Sequence, residues 1–382
     1  MIRYDYIFAG VGLAGLMVLH EMMVADVLKS KKILLLEPSE KEHNDRTWCF
    51  WEHGEGEWDA VVTKEWKSGF FINNEKTIEC FSSGMKYKMI ESSLFYRKVL
   101  SELKAYPNLV WKKERVMHYV ERPSEVVVTT DVTSYHGEVI LNSVLDLNQL
   151  RNHKKYPLLL QHFQGWFVKT PVPVFDLNSA TFMDFSVEQK GNTRFMYVLP
   201  ISTTEALVEY TLFSAEILEN EAYENAIVEY LKQKDIADYE ILRKEKGVIP
   251  MTAYPFWKKN SKRVLNIGSA GGWTKASTGY TFKNSVKLSK KVVAHLKRNA
   301  TDFSPLYKSN RFTFYDSLFV DVLFRENHLG YHLFGSMFSK VKPETVFRFL
   351  DEDTAFTEDV KVILSCPKLP FIKALIRKVF GV

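Results

Sequence analysis

The sequence lacks most of the marks by which proteins are quickly sorted. It has no run of about 18 apolar residues, the length a helix needs to cross a bilayer, so no transmembrane helix is expected. No basic region followed by a long apolar one opens the chain, and no secretory leader is expected. Its three cysteines, Cys49, Cys80 and Cys366, show neither CxxC nor metal-ligand spacing. An odd, sparse count fits a reducing compartment, and a cytoplasmic setting is expected. GxSxG elbows, Walker loops, HExxH pairs, internal repeats and low-complexity linkers are all missing. His328 and His332 are spaced i, i+4, as two ligands on a helix would be, but no third ligand accompanies them and no metal is expected. The net charge of +5 is small and dispersed. Nucleic-acid binding would call for a concentrated basic stripe instead.

Aromatic residues are plentiful: 27 Phe, 18 Tyr and 8 Trp. That suits a large apolar interior or a large apolar ligand. The first forty residues carry the clearest pattern. An apolar run, Tyr4–Ala9, leads into GVGLAG at 10–15, then a helix-compatible stretch, Leu16–Lys29, and a second apolar run ending at Glu37. This is a strand–turn–helix–strand unit with a dinucleotide fingerprint. Gly10 allows the tight turn, Gly12 lets a pyrophosphate approach the backbone, Gly15 brings helix and sheet together, and Glu37 can bind a ribose hydroxyl. The helix N-terminus supplies donors and partial positive charge to the phosphates.

Residues 1–65 read as the first part of a nucleotide-binding domain and 66–135 as a mixed insert holding a helix, Ser92–Leu103. Residues 136–157 hold a strand returning to the first sheet. Residues 158–262 alternate apolar and polar in several runs, which predicts a meander of antiparallel strands, with a helix over 216–234. A short strand and a glycine-rich turn, RVLNIGSAGG, return at 263–272, before an amphipathic helix over 283–298. Residues 299–382 look helical. The nucleotide half is thus split, as in FAD-binding flavoproteins, where a later glycine turn reaches the flavin end. Gly268, Gly271 and Gly272 fit that turn, with Ser269 and Thr278 as further donors. The expected class is α/β with an α+β insert: a Rossmann-like FAD-binding fold, an antiparallel-sheet substrate domain and a helical C-terminal part.

In MYVLPISTTEALVEYT (196–211), alternation puts Leu207 and Glu209 on one strand face and Val208 and Tyr210 on the other. If that face is buried, the pKa of Glu209 rises and the carboxyl suits general-acid work. If it is solvated, Glu209 is an ordinary surface residue. The run Asp351–Asp353 reads as a solvated helix end. Trp48, Trp51 and Tyr280 fit either a substrate tunnel or the core. At the C-terminus, Phe371, Leu375 and Phe380 fall near one helical face, and Lys373, Arg377 and Lys378 on the other. Such a helix either lies on an anionic membrane or packs on the core.

Along most of its length the chain resembles the FAD-dependent lycopene cyclase family. The matching pieces, in the family's order, are GVGLAG, DRTWCFW (45–51), YVLPISTTEALVEYT (197–211), GVIPM (247–251), GSAGGWTKASTGYTF (268–282) and FRFLDED (347–353). The resemblance implies a flavoprotein of the hydroxylase and geranylgeranyl-reductase type, with Glu209 as catalytic acid. It implies FAD contacts at Gly10, Gly12, Gly15, Glu37, Arg46, Gly271, Gly272 and Gly279. Two departures stand out: Ala276, where many relatives have proline, and Tyr210, where plant members have a second acid. The second departure counts against a mechanism needing two adjacent carboxylates.

The implied reaction is a β-cyclase isomerisation of lycopene ψ-ends, giving γ-carotene if one end is cyclised and β-carotene if both are, without net redox change. Reduced FAD would stabilise cations, and NAD(P)H would be the reductant. The expected partners are lycopene and a membrane lipid surface, for a peripheral protein. Two other classes share the pattern: a redox flavoenzyme, such as an aromatic hydroxylase or prenyl reductase, and a non-catalytic flavin-binding membrane protein.

Overall fold

The first apolar run forms the strand Arg3–Ala9 in the computed structural model, which describes residues 2–81, 83–153, 155–298 and 302–380. It pairs in parallel with Ile33–Leu36 on one side and Ser134–Asn142 on the other. All of Ile33–Leu36 is buried, as parallel strands covered on both faces require. Leu109–Lys112 extends this sheet at one edge and the hairpin Val116–Glu121/Val126–Thr130 at the other. Val264–Asn266 joins the far half of Ser134–Asn142, again in parallel. Three separated stretches of chain therefore build one nucleotide-type sheet. Helices Leu13–Val24, Ser92–Leu103 and Phe282–Lys297 share an apolar core with it through Leu16, Phe95 and Phe282. The first of these stops short of the predicted Lys29, because the chain turns at Asp26 with φ +58°.

The second large sheet runs in the order Glu240–Met251, Leu159–Lys169, Glu205–Ser214, Thr193–Pro200, Ser179–Asp184, Ser68–Ile72, Thr77–Glu79. It is not the simple meander predicted over 158–262. Leu159–Lys169 lies between Glu205–Ser214 and Glu240–Met251, antiparallel to both. Its residues are buried almost without a break, so it belongs inside a sheet and not at an edge. Ser68–Ile72 adds in parallel from the 66–135 segment. The predicted helix over 216–234 is observed at Asn220–Gln233.

A three-stranded sheet, Thr47–His53, Met85–Glu91 and Lys64–Trp66, joins the two halves. Alternation explains how it does so. Trp48 and Phe50 enter the nucleotide-side core, while Cys49 and Trp51 enter the core of the second sheet. That second core is closed by C-terminal helices, which contribute Leu323, Phe334, Met337, Phe338, Val346, Phe347 and Val362.

Of the run Asp351–Asp353, Asp353 is exposed as expected, but Asp351 and Glu352 are not solvated helix-end residues. Asp351 accepts hydrogen bonds from Trp51 Nε1 (2.9 Å) and Lys283 Nζ (2.5 Å), and Glu352 accepts from Lys275 Nζ (3.3 Å) and Asn310 Nδ2 (3.0 Å). The run is placed against cations of the nucleotide half, which compensate its partial burial. His328 and His332 do not share a helix either: His328 lies in the short 3-10 turn Asn327–Leu329, and His332 in the helix Gly330–Lys340.

Candidate active site

Gly165 sits near the middle of Leu159–Lys169. It pairs with Glu209 on one neighbouring strand and with Glu245 on the other. Side chains of directly paired residues lie on the same sheet face. Two carboxylates thus flank a position that carries no side chain, their backbones on the order of 10 Å apart across two strand spacings. A Cβ at Gly165 would stand 2.7 Å from Leu207 Cδ1 and 3.2 Å from Glu209 Cβ. The side chains of the neighbouring strand lean over the bare backbone.

This face forms one wall of a cavity of about 390 Å³ that reaches back to the nucleotide half. Leu207 and Glu209 both line it, while Val208 and Tyr210 belong to a separate apolar cluster on the opposite side of the sheet. Thr211 Oγ1 donates to Glu209 Oε1 (2.8 Å), and Thr47 Oγ1 donates to Glu245 Oε2 (2.7 Å). Burial, reinforced by the charge of Glu245 and opposed by the Thr211 hydrogen bond, pushes the Glu209 carboxyl up to about 8. Burial also raises Glu245, against the pull of the Thr47 hydrogen bond and the positive Arg243 and Arg46. Cys49, Tyr87, Tyr197 and Tyr280 complete this end, and burial raises all four. They remain protonated at neutral pH and add no charge of their own beside the two acids.

The other end is bordered by the two glycine turns, the first of them through Leu13 and Ala14 and not through Gly10, Gly12, Gly15 or Glu37. Gly10 has φ +83°, and a Cβ there would fall 2.3 Å from Ser143 Oγ. A Cβ at Gly15 would meet Gly10 O at 3.0 Å, so glycine is what lets the helix begin against the turn. At Gly12 nothing lies within 4 Å of the Cβ position. Glu37 accepts from Val11 N (2.8 Å) and Ser39 N (3.1 Å), with Lys41 Nζ at 3.4 Å. A carboxylate has about four acceptor sites, so capacity for a ribose hydroxyl remains.

Arg46, Gly268, Ser269, Thr278 and Gly279 line the cavity together with Glu209. The second turn packs directly on the first helix, with the Cβ position of Gly268 3.0 Å from Ala14 Cβ. Gly271 and Gly272 are placed differently. A Cβ at Gly271 would meet Asn266 O at 2.3 Å and one at Gly272 would meet Phe256 Cδ2 at 2.8 Å. Their amides bond to Ile267 O (3.0 Å) and Ser269 O (3.2 Å). These two glycines serve the loop, and the cavity wall is left to Gly268, Ser269, Thr278 and Gly279. Trp48 and Tyr280 also line the cavity, whereas Trp51 is a core residue packed edge-to-face on Tyr280 and at a tilt on Phe347.

A dinucleotide fits these residues. The space over Gly12 is open, and three buried lining atoms, Gln161 Oε1, Tyr280 OH and Ser285 Oγ, have no partner among the described residues. Buried polar atoms left unpaired are costly, so a ligand contact is their natural use. The first turn of Phe282–Lys297 also borders the cavity, and its unsatisfied N–H groups favour a negative group.

Sequence reasoning missed Glu245, Gln161, Tyr87 and Tyr197. A signal for Glu245 exists in LRKEKGVIPM, where Arg243, Glu245 and Gly247 alternate with exposed Lys244 and Lys246 in the edge strand Glu240–Met251. Pro250 is tolerated there because an edge strand need not donate from every position.

A family model described as lycopene cyclase protein matches residues 5–376. The chain belongs to the lycopene cyclase family. The lycopene beta-cyclase of Pantoea ananas is 25% identical over 306 residues, 76% of this chain and 74% of the relative. That of a Paracoccus species is 27% identical over 151 residues, 38% of this chain and 39% of the relative. Among solved structures, a geranylgeranyl bacteriochlorophyll reductase-like protein from Thermoplasma acidophilum superposes with TM-score 0.60 at 12% identity, covering 97% of this chain and 98% of the other. The halogenase PltM in complex with FAD gives 0.57 at 12% identity, covering 97% and 87%. This cyclase therefore has the flavoprotein fold, and it is an enzyme of carotenoid cyclisation.

Proposed function

We propose that this cyclase converts the linear ψ-ends of lycopene into β-ionone rings by a proton-initiated, redox-neutral route, with Glu209 as general acid. The observation that carries the reading is the place of Glu209: a carboxyl that burial and a second carboxylate keep protonated near neutral pH, facing a cavity walled by Trp48, Phe163, Leu199 and Tyr280. The Glu209 proton goes to C2 of the terminal double bond and leaves a tertiary cation at C1. The C5=C6 double bond attacks C1, the cation moves to C5, and loss of the C6 proton restores neutrality. Aromatic faces attract the cations and exclude the water that would quench them.

FAD would be held by Gly10, Gly12, Gly15 and Glu37 at its adenosine end and by Arg46, Gly268, Ser269, Thr278 and Gly279 along the cavity. Bound in a reduced form, with NAD(P)H as reductant, it would supply negative charge that favours cations, with no net electron transfer.

The substrate is an apolar polyene, and the protein offers it an apolar approach. A second groove of about 390 Å³, lined by Phe319, Phe334, Met337, Val362, Phe371 and Leu375, reaches Thr278, which also lines the first cavity. On its walls Ile363, Leu364 and Ile372 are exposed, and beyond them Leu369, Ile376, Val379 and Phe380, all on Phe356–Ser365 and Lys368–Phe380. The C-terminal helix differs from its sequence reading. Phe371 turns inward, Arg377 pairs with Asp321 and Lys373 lies 3.8 Å from Glu326, so the outward face is largely apolar. Gly381 and Val382, which end that segment, lie outside the described residues. Exposed Lys361, Lys368 and Lys378 on the same two helices complement an anionic bilayer. We assign this surface to membrane lipid. No described helix is long and apolar enough to cross a membrane.

The test is expression in a lycopene-accumulating bacterium, with pigment analysis of wild type and Glu209→Gln and an in vitro count of reductant consumed per ring. Wild type should give β-carotene, Glu209→Gln should not, and reductant use should stay far below one per ring. Stoichiometric reductant would instead indicate a hydroxylase or reductase. Unchanged lycopene with bound FAD would indicate a non-catalytic binder.

A further inference from the structure

We propose that Glu245 is the base that removes the C6 proton, working across Gly165 from the acid Glu209. The inference rests on the reading of Glu209 as the acid and names the residue that completes the reaction.

Elimination over the cavity wall points to it. Among the described lining residues, Lys41 and Arg46 are cations, and Cys49, Tyr87, Tyr96, Tyr197 and Tyr280 are held protonated by burial. Asp45 stands exposed and already accepts from Ser92 Oγ (2.9 Å) and Tyr96 OH (2.9 Å). Glu245 is left, on the same sheet face as Glu209 and oriented by Thr47.

The surroundings also decide which of the two acids carries the proton at rest. Two neighbouring carboxylates in a poorly solvated site do not ionise together, so the pair holds one proton near neutral pH. On the Glu245 side, Thr47 donates to the carboxylate, and Arg243 and Arg46 lend positive charge, opposed by Glu91, which is itself paired with Arg243 at 2.6 Å. On the Glu209 side, Thr211 alone donates among the described residues, and the neighbours Cys49, Tyr197 and Tyr280 are neutral. The proton therefore rests on Glu209, and Glu245 is the ionised partner. Turnover balances. The Glu209 O–H bond breaks as C2–H forms. The C6–H bond breaks as an O–H bond forms on Glu245, and the C6–H electron pair becomes the ring double bond that neutralises C5. The proton then returns from Glu245 to Glu209, and the site is reset.

The test uses the full-length, FAD-loaded enzyme with lycopene in liposomes, plus infrared titration of the carboxyl stretch with and without FAD. Glu245→Gln should lower kcat by about 10²–10⁴-fold, with KM little changed. Its residual product should include rings whose double bond lies away from C5=C6, since the C5 cation then loses a proton elsewhere. Its Glu209 carboxyl should titrate at lower pH than in wild type, because a neighbouring negative charge has gone. Thr47→Val, which keeps both acids, should raise the pH at which the acid limb of kcat falls. Wild-type kcat and ring selectivity in Glu245→Gln, with Glu209→Gln inactive, would overturn the base assignment alone. An active Glu209→Gln would overturn the acid assignment on which it rests. If Glu245→Gln does not fold, an unmoved acid limb in Thr47→Val is the overturning result.

Discussion

Lys275 Nζ lies 3.0 Å from Asp316 Oδ2, and both residues are buried. The same carboxylate accepts from Ser277 Oγ at 2.7 Å, and Glu352 approaches Lys275 at 3.3 Å. The loop bearing Thr278, Gly279 and Tyr280 is thereby fixed to the helix Arg311–Arg325. Breaking a buried pair from one side leaves an uncompensated charge, at a cost of about 3–5 kcal/mol. Asp316→Leu should lose stability on that scale in urea denaturation, and Lys275→Met/Asp316→Leu should recover much of it.

The two leading glycines should separate by assay. Gly12→Ala meets no atom of the described residues within 4 Å, so its melting temperature should stay near wild type while FAD affinity, read by flavin fluorescence, drops at least tenfold. Gly10→Ala combines φ +83° with a 2.3 Å approach to Ser143 and should lower the melting temperature itself.

The pH dependence follows from Glu209. With its folded-state value near 8, the acid form is present below that pH, and kcat should fall about tenfold per unit above it. The same shift makes a stability contribution that is complete below the unfolded value of about 4.3 and is lost as pH rises through about 8. Glu209→Gln should flatten that part of the stability profile in a chemical-denaturation series from pH 4 to 9.

Gly165→Ala should report on the geometry between the two acids. The new methyl would press on Leu207 and Glu209, and misplacement of a reacting group by about 1 Å costs on the order of 10²-fold in rate. A large loss of kcat with native circular dichroism is expected. Unchanged kcat would show that the spacing across Gly165 does not matter.

Ile372→Glu/Ile376→Glu changes two exposed side chains and should leave the fold intact. Flotation with vesicles containing phosphatidylglycerol should fall severalfold and become more salt-sensitive. Binding equal to wild type would exclude this face as the lipid contact.

Local patterns carried much of this protein. The GVGLAG turn, Glu37 and the flanking apolar runs specify a dinucleotide-type unit because each depends only on near neighbours in the chain. Ser92–Leu103 was legible down to its ends for the same reason. Strand alternation placed Glu209 opposite Tyr210, since a period of two needs no partner to be read. The five C-terminal helices of the described residues were legible only as a helical region.

Tertiary structure decided what those patterns are for. Whether the Glu209 face is solvated or enclosed depends on strands and loops far away in sequence. Gly165 has meaning only once Leu159–Lys169 is inserted between two other strands, a pairing that no local pattern specifies. Glu245, passed over in a charged edge strand, becomes a neighbour of Glu209 through that insertion. Sequence periodicity fixes which way a side chain points. Only long-range strand order fixes what it points at, and the chemistry of a carboxyl is set by what surrounds it.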